Sequence, residues 1–362
     1  MARGSFNVLG LKGKGTLKNP YIVKINQGET IVKRVTNVND LVIKLGEIEK
    51  GIFEEKQVDA KVNIINKLSL ISLKPTLKTK NFVVEITKVK KVYIKVEVIE
   101  LCTKPSLHLL SIGNSFSEDA LTYLYDIAKS ANISDLLIGY LYTGGAPLKK
   151  HYYNLKKNSN YERFSLNRNG NWEELPHLKI KEVISKYQWN YISFQQASGY
   201  SGLKKTYKPY LKKLVLKVKR IFSYETKFIW QQTWAYSKDS DHGGFKFYQN
   251  NQEEMFAKII KTMNEMILPN PLFEKIIPSG TVIQTLRSKG LEEEFITRDG
   301  FHLNLIQGRY AVALMWFKQI TGLSLELVKF VPSEITLKQF ELIKNVVEDV
   351  YNNPYLLMEG GA

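Results

Sequence analysis

Serine, histidine and aspartate are the parts of a nucleophilic hydrolase, and this chain carries all three in settings suited to that use. Ser115 lies in the run Leu109-Leu110-Ser111-Ile112-Gly113-Asn114-Ser115-Phe116-Ser117. There an apolar strand pattern stops at a glycine and a helix pattern begins. A serine at such a turn is presented at a sheet edge, near helix N–H groups able to receive an anion. Far downstream, Arg298-Asp299-Gly300-Phe301-His302-Leu303 sets an aspartate and a histidine three residues apart in one loop. Histidine can take the serine proton because its intrinsic pKa lies near working pH, help that typically contributes about 10²- to 10⁴-fold. Aspartate can orient the ring. Acyl transfer also needs donors where charge builds on the carbonyl oxygen, and losing one costs about 2.7–4 kcal/mol of barrier stabilisation. The candidates are the Ser115 backbone N–H, the N–H groups of Gly144 and Gly145, and the side chain of Gln195, with Gln196 as runner-up.

Those residues need elements to hold them. Strands are predicted over 107–112, 136–142, 191–195, 227–230 and 275–277. Helices are predicted over 117–131 (with Ser117 as N-cap), 178–187, 205–222, 247–267 and 305–320, and a hairpin over 161–175 turning at Asn169-Gly170-Asn171. Alternating strands and helices indicate a parallel sheet with helices on both faces, and ligands gather beyond the carboxyl ends of such strands. Ser115, Gly144, Gly145, Gln195 and Trp234 all fall at or after predicted strand ends, which points to one common site. The front of the chain reads differently. Apolar–polar alternation at 21–25, 41–45, 82–86 and 92–98, with shorter β-rich runs at 30–32 and 62–65, predicts a small all-β sandwich or barrel over 1–104, for docking, oligomerisation or glycan binding. The boundary is placed at Lys104-Pro105. The α/β domain then spans 105–362, with a C-terminal helical extension and a tail at 359–362.

Composition narrows the partners. Among 362 residues there is one cysteine, Cys102, so an intrachain disulfide is excluded and no zinc cluster is expected. The formal charge is +17, but the excess is mainly lysine, without arginine clusters or stacking motifs, which argues against nucleic acid and for solubility or a polyanionic environment. The first residues lack an apolar core of signal-peptide length, and no run reaches the length of a membrane span. Synthesis in the cytoplasm, with no membrane partner, is the expectation.

Gly113-Asn114-Ser115, Gly144-Gly145-Ala146, Gln195 and Asp299-Gly300-Phe301-His302-Leu303 occur in the order of blocks of the SGNH (GDSL-like) hydrolases. Over 106–322 the chain resembles that superfamily, in a style related to carbohydrate acetylesterases. The resemblance implies a flavodoxin-like three-layer α/β/α sandwich. It implies Ser115 as nucleophile, His302 as base and Asp299 as its orienting acid, with oxyanion contacts from Ser115, Gly145 and Gln195. It implies no metal and no organic cofactor. Two blocks depart from the common pattern: the first reads Gly-Asn-Ser where Gly-Asp-Ser is usual, and the third offers Gln195-Gln196-Ala197-Ser198 in place of Gly-x-Asn-Asp. Asn114, Gly144, His151, Gln196 and Trp234 are the candidates to face substrate, with a packed or surface histidine the first reading for His151; Trp230, Trp234, Tyr236 and His242, on or after the fourth predicted strand, read first as core packing and otherwise as an aromatic wall for a sugar or acyl group. The expected function is a serine ester hydrolase that removes small acyl groups, such as O-acetyl, from carbohydrate. Attachment to a phage virion or another assembly through the front domain is a further expectation. The alternative is an inactive SGNH-fold protein that binds glycan or serves a structural role.

Overall fold

The computed structural model describes residues 106–176, 178–221 and 226–354, and the backbone of eight strands between residues 21 and 99. Cys102, the Lys104-Pro105 junction, His177 and the tail at 359–362 lie outside the described residues. The chain divides into two compact units, Met1–Thr103 and Lys104–Ala362.

In the first unit the strands are β1 (Tyr21–Asn26), β2 (Ile31–Thr36), β3 (Ile43–Glu49), β4 (Ile52–Glu55), β5 (Asp59–Ile65), β6 (Leu68–Lys74), β7 (Asn81–Ile86) and β8 (Tyr93–Ile99). They pair in the orders β1-β8-β7-β3-β4 and β2-β6-β5. Strands β4 and β6 are additional to the six β-rich runs of the sequence.

In the second unit, β9 (Ser106–Gly113), β10 (Asp135–Tyr142), β13 (Tyr191–Phe194), β14 (Lys227–Gln231) and β15 (Lys275–Ile277) form a parallel sheet in the order β10-β9-β13-β14-β15. Counted from the first of these strands, that is the 2-1-3-4-5 order of flavodoxin-like folds, whose topological switch point lies beside the first strand. An antiparallel hairpin, β11 (Arg163–Asn167) and β12 (Trp172–Pro176), extends the β10 edge. Strand β9 is central and reads as a continuous apolar run because both its faces are covered, with Leu109 and Leu110 at 0% exposure.

Helices α3 (Leu148–Lys157) and α5 (Tyr210–Lys219) pack together, while α1 (Ser115–Leu121), α2 (Leu124–Ser130), α7 (Ser279–Ser288) and α9 (Leu337–Asn352) gather around α8 (Gln307–Thr321). Helices α4 (Ile180–Lys186) and α6 (Gln252–Met266) complete the connections. Helix α8 is apolar nearly all round, as a helix covered on every side must be. The C-terminal α9 provides that cover. It starts at a capping box between Thr336 and Gln339, and its Glu348 meets the buried Lys318 ammonium of α8 at 2.8 Å.

Three predicted helices differ from those observed, each for a local reason. The helix expected over 117–131 begins two residues earlier and breaks at Thr122 and Tyr123. Its cap is Asn114, whose Oδ1 accepts the Phe116 N–H; the Ser117 hydroxyl turns inward instead. The helix over 247–267 is a 3-10 turn at Phe245–Tyr248, then Gln249 and Asn250 at positive φ, then α6 capped by Asn251. The helix over 205–222 shortens to α5 because Pro209 cannot donate within a helix interior.

Candidate active site

The turn after β9 is built for close approach. A Cβ on Gly113 would lie 2.0 Å from the Ser117 hydroxyl and 3.1 Å from Gln195 Cδ, so only glycine fits there. Asn114 follows as N-cap and hub. Its Oδ1 accepts from Phe116 N–H at 3.0 Å and Gln195 Nε2 at 2.7 Å, and its Nδ2 donates to the Ala146 carbonyl at 3.3 Å. An aspartate has no N–H to offer that carbonyl, which gives a physical reason for the Gly-Asn-Ser form. Ser115 then opens α1, partly exposed, and its backbone N–H has no hydrogen-bond partner among the described residues.

His302 reaches this serine from the far loop. Its Nε2 lies 2.9 Å from Ser115 Oγ, and its Nδ1 lies 2.6 Å from Asp299 Oδ2. Asp299 can only accept, so Nδ1 carries the proton and Nε2 is left to accept from the serine hydroxyl. The other oxygen, Oδ1, accepts the backbone N–H groups of His302 at 2.7 Å and Phe301 at 3.2 Å. Burial pushes the Asp299 carboxyl up, but the His302 ring and these backbone donors outweigh it and hold the group below its ordinary range. The acid therefore stays charged where the imidazole needs it.

The loop is fixed to the serine helix by a residue the sequence reading missed. Asp119 sits one turn beyond Ser115 on α1 with its side chain 1% exposed. Its carboxylate meets Arg309 Nη2 at 2.7 Å and Arg298 Nη1 at 3.1 Å, and accepts the Leu303 N–H at 2.8 Å. Arg298 Nη1 also donates to the Leu303 carbonyl. Serine and histidine are thus held together by an ion network beneath them. The i,i+4 spacing of Ser115 and Asp119 was the available signal.

Several residues expected at the cleft lie elsewhere. Gln195 is 1% exposed, accepts from Ser117 Oγ at 2.7 Å and gives its amide N–H to Asn114, so it orients the turn and is not an open oxyanion donor. Gln196 is also 1% exposed, bonded to Leu148 N–H and Thr206 Oγ1. Trp234 is fully buried, stacked on Phe116 at 4.1 Å and donating to the Phe301 carbonyl at 2.7 Å; it supports the histidine loop from below. Trp230 and Tyr236 are core residues, in line with the packing reading. His151 is buried against Tyr161, with ring centroids 5.7 Å apart, and burial lowers its pKa to about 4, so it is neutral packing. His108, for which the sequence offers no constellation, is paired with Asp135 at 2.8 Å at the start of β9, away from the strand end that carries the serine.

Gly144 and Gly145 are exposed beyond β10. The Gly144 N–H is taken by Glu162 Oε2 at 2.9 Å. Gly145, at φ +56°, has an N–H with no partner among the described residues. His242, from the aromatic set, does border the site: its ring lies 4.7 Å from Phe301, which lies 4.3 Å from His302. Burial and the nearby His302 lower its pKa, so it stays neutral beside the base. No group of three His, Cys, Asp or Glu residues suited to a metal ion occurs among the described residues.

Residues 108–350 match the family described as "Domain of unknown function (DUF4886)". The chain belongs to this DUF4886 family. It is 32% identical to a DUF4886 family protein from Bacteroides uniformis, covering 70% of this chain and 98% of that one, with a TM-score of 0.64. An SGNH hydrolase candidate from Slackia heliotrinireducens is 15% identical, over 60% of this chain and 100% of its own, with a TM-score of 0.41. A catalytic mutant of an acetylxylan esterase from Geobacillus stearothermophilus is 9% identical, over 60% and 97%, with a TM-score of 0.39. None of the curated proteins matches this chain. In this DUF4886 protein the seven-stranded sheet is mostly parallel, with an antiparallel hairpin at one edge, and is flanked by helices.

Proposed function

We propose that this protein is a serine ester hydrolase that removes small acyl groups, O-acetyl foremost, from carbohydrate. The observation that carries the reading is the placement of one imidazole 2.9 Å from the Ser115 hydroxyl and 2.6 Å from the Asp299 carboxylate. Ser115 Oγ attacks the ester carbonyl while His302 Nε2 takes its proton. The carbonyl oxygen becomes an oxyanion, received by the unpaired N–H groups of Ser115 and Gly145. Collapse expels the sugar alkoxide, which takes the proton from His302, and leaves an acyl-serine. His302 then deprotonates a water that attacks the acyl-serine, and carboxylate and free serine result. Asp299 keeps the ring in the Nδ1–H tautomer and stabilises the imidazolium. Carbohydrate as the alcohol follows from the SGNH resemblance and suits the polar surroundings of the Gly144–Gly145 turn.

The test is hydrolysis of 4-nitrophenyl acetate by the wild type and by Ser115→Ala, with folding checked by circular dichroism. Turnover in the wild type and a loss of at least about 10³-fold in the variant are expected. Equal rates would remove the assignment. Turnover-free binding of acetylated sugars would favour the inactive glycan-binding alternative.

A further inference from the structure

A second polar feature adjoins the Gly144–Gly145 turn. A cavity of about 290 Å³ is bordered by Thr143 on that turn, by Glu162, and by one face of α3. Lys150, Tyr153, Asn154 and Lys157 recur at i, i+3, i+4 and i+7, so a single helix face supplies most of the wall. Neither lysine forms an ion pair among the described residues. Asn154 is only 7% exposed, yet its side-chain amide has no hydrogen-bond partner among the described residues. That amide still reaches solvent through the cavity, so a ligand entering there can replace water as its hydrogen-bond partner. Glu162 borders the same cavity and uses Oε2 to hold the Gly144 N–H at 2.9 Å. Thr143 donates its N–H to the Gly113 carbonyl at 3.2 Å, two residues from Ser115. The cavity wall and the turn that carries Ser115 are therefore joined by a backbone hydrogen bond.

We propose that this cavity is a subsite for an acidic sugar, a uronate unit of the saccharide whose ester is cleaved at Ser115. Two free ammonium groups match one carboxylate, while the Asn154 amide and the Glu162 carboxylate suit ring hydroxyls, as donor and acceptor respectively. Tyr153, 37% exposed, offers a face for the ring. A neutral saccharide would leave both ammonium groups unanswered, and a simple inorganic anion would leave the amide and the tyrosine unused. The choice of substrate rests on the esterase reading, but occupancy of the cavity does not.

The experiment has two readouts. Binding of trigalacturonate and of xylotriose is measured by calorimetry on Ser115→Ala, alone and combined with Lys150→Glu/Lys157→Glu or with Asn154→Ala. Hydrolysis of 4-nitrophenyl acetate and of O-acetylated oligogalacturonide is measured on the same cavity variants with Ser115 intact. Trigalacturonate should bind at least about tenfold more tightly than xylotriose, and the charge-reversed pair should lose at least about tenfold. Asn154→Ala should weaken it too, and aryl acetate turnover should not change. Equal binding of the two sugars, or acidic-sugar binding indifferent to both lysines, would overturn the subsite. Should trigalacturonate bind through these lysines in a protein that hydrolyses no aryl acetate, the subsite stands and the esterase reading falls.

Discussion

Two turns at the carboxyl end of one sheet meet around Ser115, and they are built in opposite ways. The turn carrying serine and its partner loop from Arg298 to Leu303 are held from below by buried charge: Asp119 between two arginines, Trp234 under Phe301, and Gln195 joining Asn114 to Ser117. The Gly144–Gly145 turn is exposed, holds a left-handed glycine, and leaves a backbone N–H and a neighbouring amide without partners among the described residues. The first half uses its polar groups on one another and so holds serine, histidine and aspartate in register. The second keeps its polar groups for something that arrives. Preorganised chemistry beside a receptive rim is what differential binding of a transition state requires.

The sharpest way to break the rigid half is Asp299→Asn. An amide can present its oxygen to the ring but cannot stabilise the imidazolium, so kcat for aryl acetate should fall by about 10⁴-fold with the fold intact. A loss under tenfold would show that the acid is dispensable. Next in size is Asp119→Asn, which leaves two arginines facing a buried neutral group. Urea unfolding should reveal about 3–5 kcal/mol of lost stability, with reduced kcat as the histidine loop loosens. Unchanged stability would mean that the network does not hold the loop.

The open half has smaller, different sensitivities. His151 lies behind the Ala146–Pro147 segment with its pKa lowered to about 4 from 6.5. Between those values the unfolded chain binds a proton that the folded chain refuses, so stability falls as pH drops from 6.5 toward 4, by at most about 3 kcal/mol. His151→Phe should flatten this acid slope in thermal melts; an unchanged slope would contradict burial of a neutral ring. The least effect belongs to Gly145→Ala. A Cβ there meets nothing within 4 Å, so the cost is the left-handed backbone alone, about 1 kcal/mol, with activity within a few-fold of wild type. A larger loss of activity would show that the turn is as tightly fitted as its neighbour.

The sequence was most readable where local pattern and chain direction decide the outcome. Alternating apolar runs and helix patterns led to the parallel sheet, and the Asn169-Gly170-Asn171 turn led to the hairpin. Ser115, Asp299 and His302 carry their own signal, because few other uses explain a serine after a strand and an Asp-x-x-His loop together. Gln195, Gln196 and Trp234 were placed at strand ends correctly but on the wrong side of the surface. A strand end tells where a residue is, while its burial depends on which neighbours it meets across the sheet. Asp119 was missed because its partners, Arg298 and Arg309, lie 179 and 190 residues away.

The central claim is that His302 makes the Ser115 hydroxyl a nucleophile, and covalent labelling tests it most directly. The wild type is treated with an alkyl fluorophosphonate and followed by intact-protein mass, beside Ser115→Ala and His302→Ala. One adduct should form on the wild type and map to Ser115, with no labelling of Ser115→Ala and a labelling rate at least about 10²-fold lower for His302→Ala. Labelling of Ser115→Ala at the wild-type rate, or a wild type that takes up no phosphonate, would contradict it.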